Sequence, residues 1–400
     1  MPDKNPVDSL SKLFFTSLAW GLWGAAAVVI TILVVIHPNN SNSICILFAQ
    51  SSHNWWTGQE LYFMRSIDGF LYFPQFAILY TPFAALGNPV GGAVWRLVGL
   101  AIYCAGLWRL AKLLSPKNPA LVFAFGSLAA FAPTISSIRC GQANLHIAGF
   151  LLNVTVELAR RRWSIAALYL LVALAVKPII FVALLLAAAI YRPMRWRLAL
   201  GMAIFLLVPF AMQNPHYVWA QYQVCYAKLR MAALPYRPFC DLRGIFWAFW
   251  VIPQNVLAVL QMVAAIATLA LCVLAWRWWQ EPARSVFVAA FGTCYLMLFN
   301  PRTESNSYVI LAAILAIPTA VLLLDDLRPF AGIMLVVIGV CFSCDGWAYH
   351  ATEPWLKPLT CAVLLLFLIA ELFRRDPHRR RVVAASDSGV ERALEARPSS

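Results

Sequence analysis

The stretch WSIAALYLLVALAVKPIIFVALLLAAAI, residues 163–190, is apolar from Ile165 onward except for a lysine and a proline side by side near its middle. Read as one helix, it crosses a membrane once. Read as two, it crosses and returns, turning at Lys177 and Pro178. Proline disfavours helical backbone at the residue before it, so the pair supports the turn. The choice decides the topology of the whole chain, because Arg160 to Arg162 precede the stretch and Arg192, Arg195 and Arg197 follow it. Membrane proteins keep the Lys and Arg of short loops on the cytoplasmic side. Only a double pass puts both clusters there.

Outward from this stretch the pattern repeats. Of the 400 residues 62% are hydrophobic and 12% charged, and the mean hydropathy is +0.73, a composition that excludes a soluble globular domain. Apolar runs close to the ~20 residues that span a bilayer recur from Phe14 almost to Phe373. The runs fall at about 13–36, 92–114, 119–138, 143–159, 163–176, 178–191, 198–212, 255–277, 285–299, 307–324, 329–348 and 357–374. The expectation is an all-α polytopic membrane protein of about 10–12 transmembrane helices with a long first outer loop. Residues 1–374 form one membrane domain, and the polar tail 375–400 is disordered and cytoplasmic.

The first run, Phe14 to Ile36, is too long for a signal peptide core and reads as a retained span. With both termini in the cytoplasm, the basic loops around Lys112 and Lys117, Arg277 and Arg284, and Arg374 to Arg381 all fall on that side of the cell membrane. The net charge of +14 is then a topology signal and implies no nucleic-acid partner. The ten cysteines are scattered through apolar runs and read as packing residues, with a Cys341–Cys344 disulfide as the other reading.

The polar residues that are not topology signals collect on the outer face. They are Glu60, Arg65 and Asp68, then Arg139, Gln142 and Asn144, then Lys177, the loop 213–243, NPRTESN at 300–306 and CDGWAYHATEPW at 344–355. In RCGQANLH, 139–146, four hydrogen-bonding side chains stand at the mouth of a membrane helix, where an unpartnered polar group costs several kcal/mol. They either tie helices together, each bond being worth about 0.6–2 kcal/mol, or line a site. Lys177 reads as an anion-binding residue facing a cavity or as a snorkelling cation. His53, His216 and His350 have no companions at ligand spacing, so no metal is expected. Phe70 to Leu86, apolar and aromatic with prolines at 74 and 82, reads as a segment lying along the outer membrane surface.

Four ordered stretches resemble glycosyltransferase family 87, the GT-C class enzymes that use polyprenol-phosphate-mannose. They are GQELY followed by FLYFPQFAILYTPFAAL, GQANLHIAGFLL, ALAVKPIIFVALLLAA and LFNPRTESNSYVILAAILAIP, a resemblance over roughly residues 13–325, most of the chain. The resemblance implies a GT-C-like bundle that moves a sugar, mannose by analogy, from a polyprenyl-phosphate donor to a lipid or glycan acceptor. Transfer would take place on the outer face of the cytoplasmic membrane, with inversion and without a cofactor. Such chemistry needs a carboxylate to take the hydroxyl proton and cations or amides to hold the leaving phosphate.

One departure stands out. Where the family places its acid after the first span, this chain reads HPNNSNSICILF, 37–48. The outer carboxylates are Glu60, Asp68, Asp241, Glu304, Asp345 and Glu353. Asp68, with Glu60 as alternate, is the expected base by its place in the first outer loop. Lys177, Arg302 and Arg139, with Gln142 and Asn144, are the expected phosphate and sugar contacts. A lipid or glycan transporter, or a family member without activity, are the competing readings. A transporter would place charges near span midpoints, whereas here they stand at span ends.

Overall fold

The computed structural model describes residues 6–37, 43–62, 64, 68–233, 238–247, 249–343 and 352–374, with side chains from residue 13 onward. Residues 38–42 of the acid-free stretch, Arg65, Cys344, Asp345, His350 and the tail 375–400 lie outside the described residues. Helix is the only regular structure among those described, as hydrocarbon demands of a chain that must satisfy its own backbone polar groups.

The helices in chain order are α1 (Pro6–Ile36), α2 (Cys45–Thr57), α3 (Pro74–Ala85), α4 (Val90–Leu114), α5 (Pro119–Cys140), α6 (Asn144–Ala159), α7 (Trp163–Val176), α8 (Phe181–Ile190), α9 (Met194–Met212), α10 (Pro215–Ala232), α11 (Leu242–Phe246), α12 (Gln254–Trp278), α13 (Ala283–Phe299), α14 (Val309–Leu324), α15 (Pro329–Cys341) and α16 (Leu356–Phe373). Short 3-10 turns, Pro178–Ile180 and Ser305–Tyr308, precede α8 and α14. Seven of the described helical segments are long and apolar enough to cross a membrane. The chain is an all-α polytopic membrane protein.

Helix α6 is the axis of the bundle: every residue from Asn144 to Leu158 is buried. It can sit there because its contact with α4 is made by small residues. A Cβ on Gly149 would lie 2.7 Å from the Tyr103 backbone nitrogen, and one on Gly99 would lie 2.5 Å from the His146 ring. Close backbone approach of this kind is how helices associate where lipid gives no hydrophobic push. At the far end from the site, Arg109 of α4 reaches Asn153 and Glu157 of α6 and fixes the register. Helices α1, α9 and α12 form the perimeter, showing Ile32, Leu207, Met262 and Ile266 outward, as a lipid-facing surface does.

The run 163–190 is two helices. Lys177 has extended backbone (φ −157, ψ 130), which ends α7, and the chain doubles back so that the Trp163 and Tyr191 rings lie 5.7 Å apart. The same end carries Arg328 on Glu371 at 2.5 Å and the Trp279 indole nitrogen donating to the Leu372 carbonyl at 3.2 Å. The basic loops therefore share one end of the bundle, and Lys177 is at the other.

The aromatic run 70–86 enters the short helix α3, which is not among the helices long and apolar enough to cross a membrane. Its Phe76 and Tyr80 are buried with Phe48, Phe70, Tyr72 and Trp95 in one aromatic cluster, whereas Pro82, Ala85 and Leu86 are exposed. One expectation differs. The loop 213–243 is largely α10, started by Pro215 and by Asn214, whose side-chain oxygen accepts from the His216 backbone nitrogen at 2.9 Å.

Candidate functional site

At the end of the bundle opposite the basic loops lies a cavity of ≈ 290 Å³, near the lower end of the ~300–1,000 Å³ of ligand pockets. Five segments distant in sequence contribute to its wall: Ile44 and Leu47, the loop from Asp68 to Tyr72, Gln142, the turn Lys177–Ile179, and Asn300 to Arg302 with Glu304. Leu229, Ala232 and Ala233 from the end of α10 close it. The lining combines charged and amide side chains with aliphatic ones, a mixture suited to a polar head carried on an apolar chain.

Gln142 arrives through the turn between α5 and α6. Gly141 closes α5 in the left-handed region (φ +66), and the Gln142 backbone nitrogen returns to the Ser137 carbonyl at 2.9 Å. That 6→1 closure is the usual helix stop with glycine. Buried Arg96 of α4 secures the same corner, donating to the carbonyls of Ile138 at 2.8 Å and Arg139 at 3.0 Å and to the Ser43 hydroxyl at 3.0 Å. A guanidinium on helix C-terminal carbonyls satisfies groups that would otherwise be orphaned and opposes the negative end of the helix dipole.

Asn144 is fully buried behind the wall. Its amide oxygen accepts from the Lys177 ammonium at 2.7 Å, and its amide nitrogen donates to the Asn306 side-chain oxygen at 2.7 Å and to Ser307 at 3.3 Å. One side chain thus joins the start of α6 to the 177 turn and to the 305–308 turn. Lys177 lines the cavity from this anchor. Burial at the turn lowers the ammonium pKa, an effect the Glu304 carboxylate opposes and Arg302 reinforces.

The 300–304 segment is held from several sides. Thr303 is buried and its carbonyl accepts from the Cys240 backbone nitrogen at 2.9 Å. Arg243 donates to the Pro301 carbonyl while clasping Asp241, at 3.1 Å through Nε and 2.6 Å through a terminal nitrogen. Asp241 also caps α11 by accepting from the Arg243 backbone nitrogen at 2.9 Å. Arg302 forms an ion pair with Asp68 and lies over the Phe239 ring. Lys228 of α10, fully buried, donates to the Asp68 carbonyl at 2.9 Å.

Of the residues singled out in the sequence, Asp68, Gln142, Lys177 and Arg302 meet at this cavity, and Asn144 supports it without lining it. Glu60 and Arg139 are exposed and do not line it. Asp241 is committed to Arg243. Sequence reasoning missed Arg96, Lys228 and Arg243. The signal for Lys228 was available: Val218, Gln221, Cys225, Lys228 and Ala232 form a buried stripe at helical spacing on α10. Among the described residues, no group of three His, Cys, Asp or Glu could hold a metal.

The fold is that of a polytopic membrane protein, and among the described residues a cavity lined by Lys177 and Arg302 lies at the end away from its basic loops. More specifically, the model of glycosyltransferase family 87 matches residues 70–301, and the chain belongs to that family; it is a membrane glycosyltransferase. No curated protein matches it.

Proposed function

We propose that the chain moves a sugar from a polyprenyl-phosphate donor to a hydroxyl on a lipid or glycan acceptor, with mannose the expected sugar, and that the cavity is where transfer happens. The cavity faces the outside of the cytoplasmic membrane in this reading, and both termini are cytoplasmic, because the basic loops share the opposite end. The observation that carries the reading is the convergence of Lys177, Arg302 and Gln142 on one cavity beside two carboxylates and several aliphatic side chains. The polyprenyl chain stays in the lipid and only the sugar phosphate enters.

In this mechanism the Lys177 ammonium and the Arg302 guanidinium hold the phosphate and take up the charge that grows on it as the anomeric bond breaks. Gln142 orients the sugar or phosphate through its amide. A cavity carboxylate, Asp68 or Glu304, removes the proton from the acceptor hydroxyl. No nucleotide takes part, since the donor is membrane-borne.

The test is transfer itself. Purified protein in liposomes, given a radiolabelled polyprenyl-phosphate sugar and membrane lipids or glycans as acceptor, is expected to yield a glycosylated product of inverted anomeric configuration. Absence of transfer from every polyprenyl-phosphate sugar offered, under conditions where the protein remains folded, rejects the reading.

A further inference from the structure

The cavity holds two described carboxylates, and their surroundings differ. Asp68 is paired with Arg302, and its side chain is 62% exposed. A carboxylate that accepts from a guanidinium is stabilised as the anion and has lone pairs already engaged, which makes it a weak proton acceptor. Glu304 lines the same cavity two residues beyond Arg302, and no ion pair or hydrogen bond engages its carboxylate among the described residues.

The backbone around Glu304 is fixed on both sides. Thr303 before it is tied to Cys240, the Glu304 carbonyl accepts from the Ser307 backbone nitrogen at 2.9 Å, and the Ser305 carbonyl accepts from the Lys357 ammonium at 3.1 Å. Only the side chain is left to move. A carboxylate on a rigid stem, without a competing cation clasping it and next to the lysine assigned to the phosphate, has the placement a general base requires.

We propose that Glu304, rather than Asp68, takes the proton of the acceptor hydroxyl, and that Asp68 serves to position the Arg302 guanidinium. This rests on the glycosyl-transfer reading above. The acceptor oxygen forms its bond to the anomeric carbon as the bond from that carbon to the phosphate oxygen breaks. The bonding pair leaves on the polyprenyl phosphate, and the hydroxyl proton passes to the Glu304 carboxylate and from there to water.

The experiment compares Glu304→Gln, Glu304→Asp and Asp68→Asn in liposomes, with azide offered as an alternative nucleophile. Loss of a general base lowers kcat by about 10²–10⁴ with the donor KM little changed. Azide carries no proton to be removed, so the Glu304→Gln variant is expected to form the glycosyl azide at a rate close to that of the unmodified protein. A merely structural role for Glu304 would not be relieved by azide. Glu304→Asp should keep part of the hydroxyl transfer. Asp68→Asn should raise the donor KM more than it lowers kcat. Full hydroxyl transfer in Glu304→Gln, or a kcat loss relieved by azide in Asp68→Asn alone, overturns the assignment. Failure of the unmodified protein to transfer sugar to either nucleophile overturns the underlying reading instead. If Glu304→Gln does not fold, the folded Glu304→Asp variant decides: kcat and pH profile identical to the unmodified protein overturn the assignment, and a displaced acidic limb supports it.

Discussion

The Lys177 ammonium and the Asn144 amide oxygen are 2.7 Å apart, and this bond joins the tip of the α7–α8 hairpin to the start of the most buried helix in the bundle. The cation is therefore aimed by a side chain that does not itself face the cavity. Both residues stand at the ends of apolar runs, where each alone would be expensive.

Replacing Asn144 by Leu removes that anchor while keeping the volume. The unpartnered ammonium and the unpartnered Asn306 amide are expected to cost about 1–3 kcal/mol of stability. The donor KM should rise as well, because Lys177 loses its orientation. Thermal unfolding in detergent and donor titration in the transfer assay check the two effects. Unchanged values in both would show that the bond does not position the lysine.

Gly141→Ala should destabilise the protein by more than the ~1–2 kcal/mol that left-handed backbone costs an L-residue. The added methyl would also lie 2.5 Å from the Cys45 sulfur and 2.9 Å from the Arg96 guanidinium. Gly24→Ala is the control, since a Cβ there meets nothing within 4 Å. A melting temperature lowered for Gly141→Ala and unchanged for Gly24→Ala is the expected result.

Arg243→Met leaves Asp241, which is 2% exposed, as a buried charge without its cation. The expected loss is about 3–5 kcal/mol. Asp241→Asn combined with Arg243→Met should recover part of it, because the uncompensated charge is gone. Transfer activity should fall in both variants, since the Pro301 carbonyl loses the donor that holds the 300–304 segment.

Glu60→Gln should leave transfer and stability within about twofold and ~0.5 kcal/mol of the unmodified protein, the usual range for an exposed position. Glu60 is exposed, and among the described residues only its backbone carbonyl is engaged, by Asn54 at 2.9 Å. A large loss of kcat would return the first loop's other carboxylate to the reaction.

The fold was legible where hydrophobicity and charge act alone. The basic clusters on either side of 163–190 required the chain to turn at Lys177, and it does. The loop 213–243 was not legible as a helix, because α10 buries Gln221 and Lys228 alongside Val218 and Cys225 and so lacks an apolar face of the ordinary kind. In the site, Lys177, Gln142, Arg302 and Asp68 could be named because polar residues at the ends of membrane helices need a reason to be there. Arg96 and Arg243 could not, since each donates to backbone carbonyls, such as those of Ile138 and Pro301, whose positions exist only after folding. In the sequence Asp68 stood ahead of Glu304 by its place in the first outer loop; in the structure what separates them is the guanidinium that Asp68 has and, among the described residues, Glu304 lacks.

The central claim is that the cavity holds the donor phosphate through Lys177. Its most direct test is the affinity of polyprenyl phosphate, without sugar, for the protein in nanodiscs, measured for the unmodified chain and for Lys177→Met. Loss of one charge-assisted hydrogen bond, about 1.5–3 kcal/mol, predicts binding weakened roughly 10- to 150-fold. Equal affinity in the two proteins, both folded, would contradict the account.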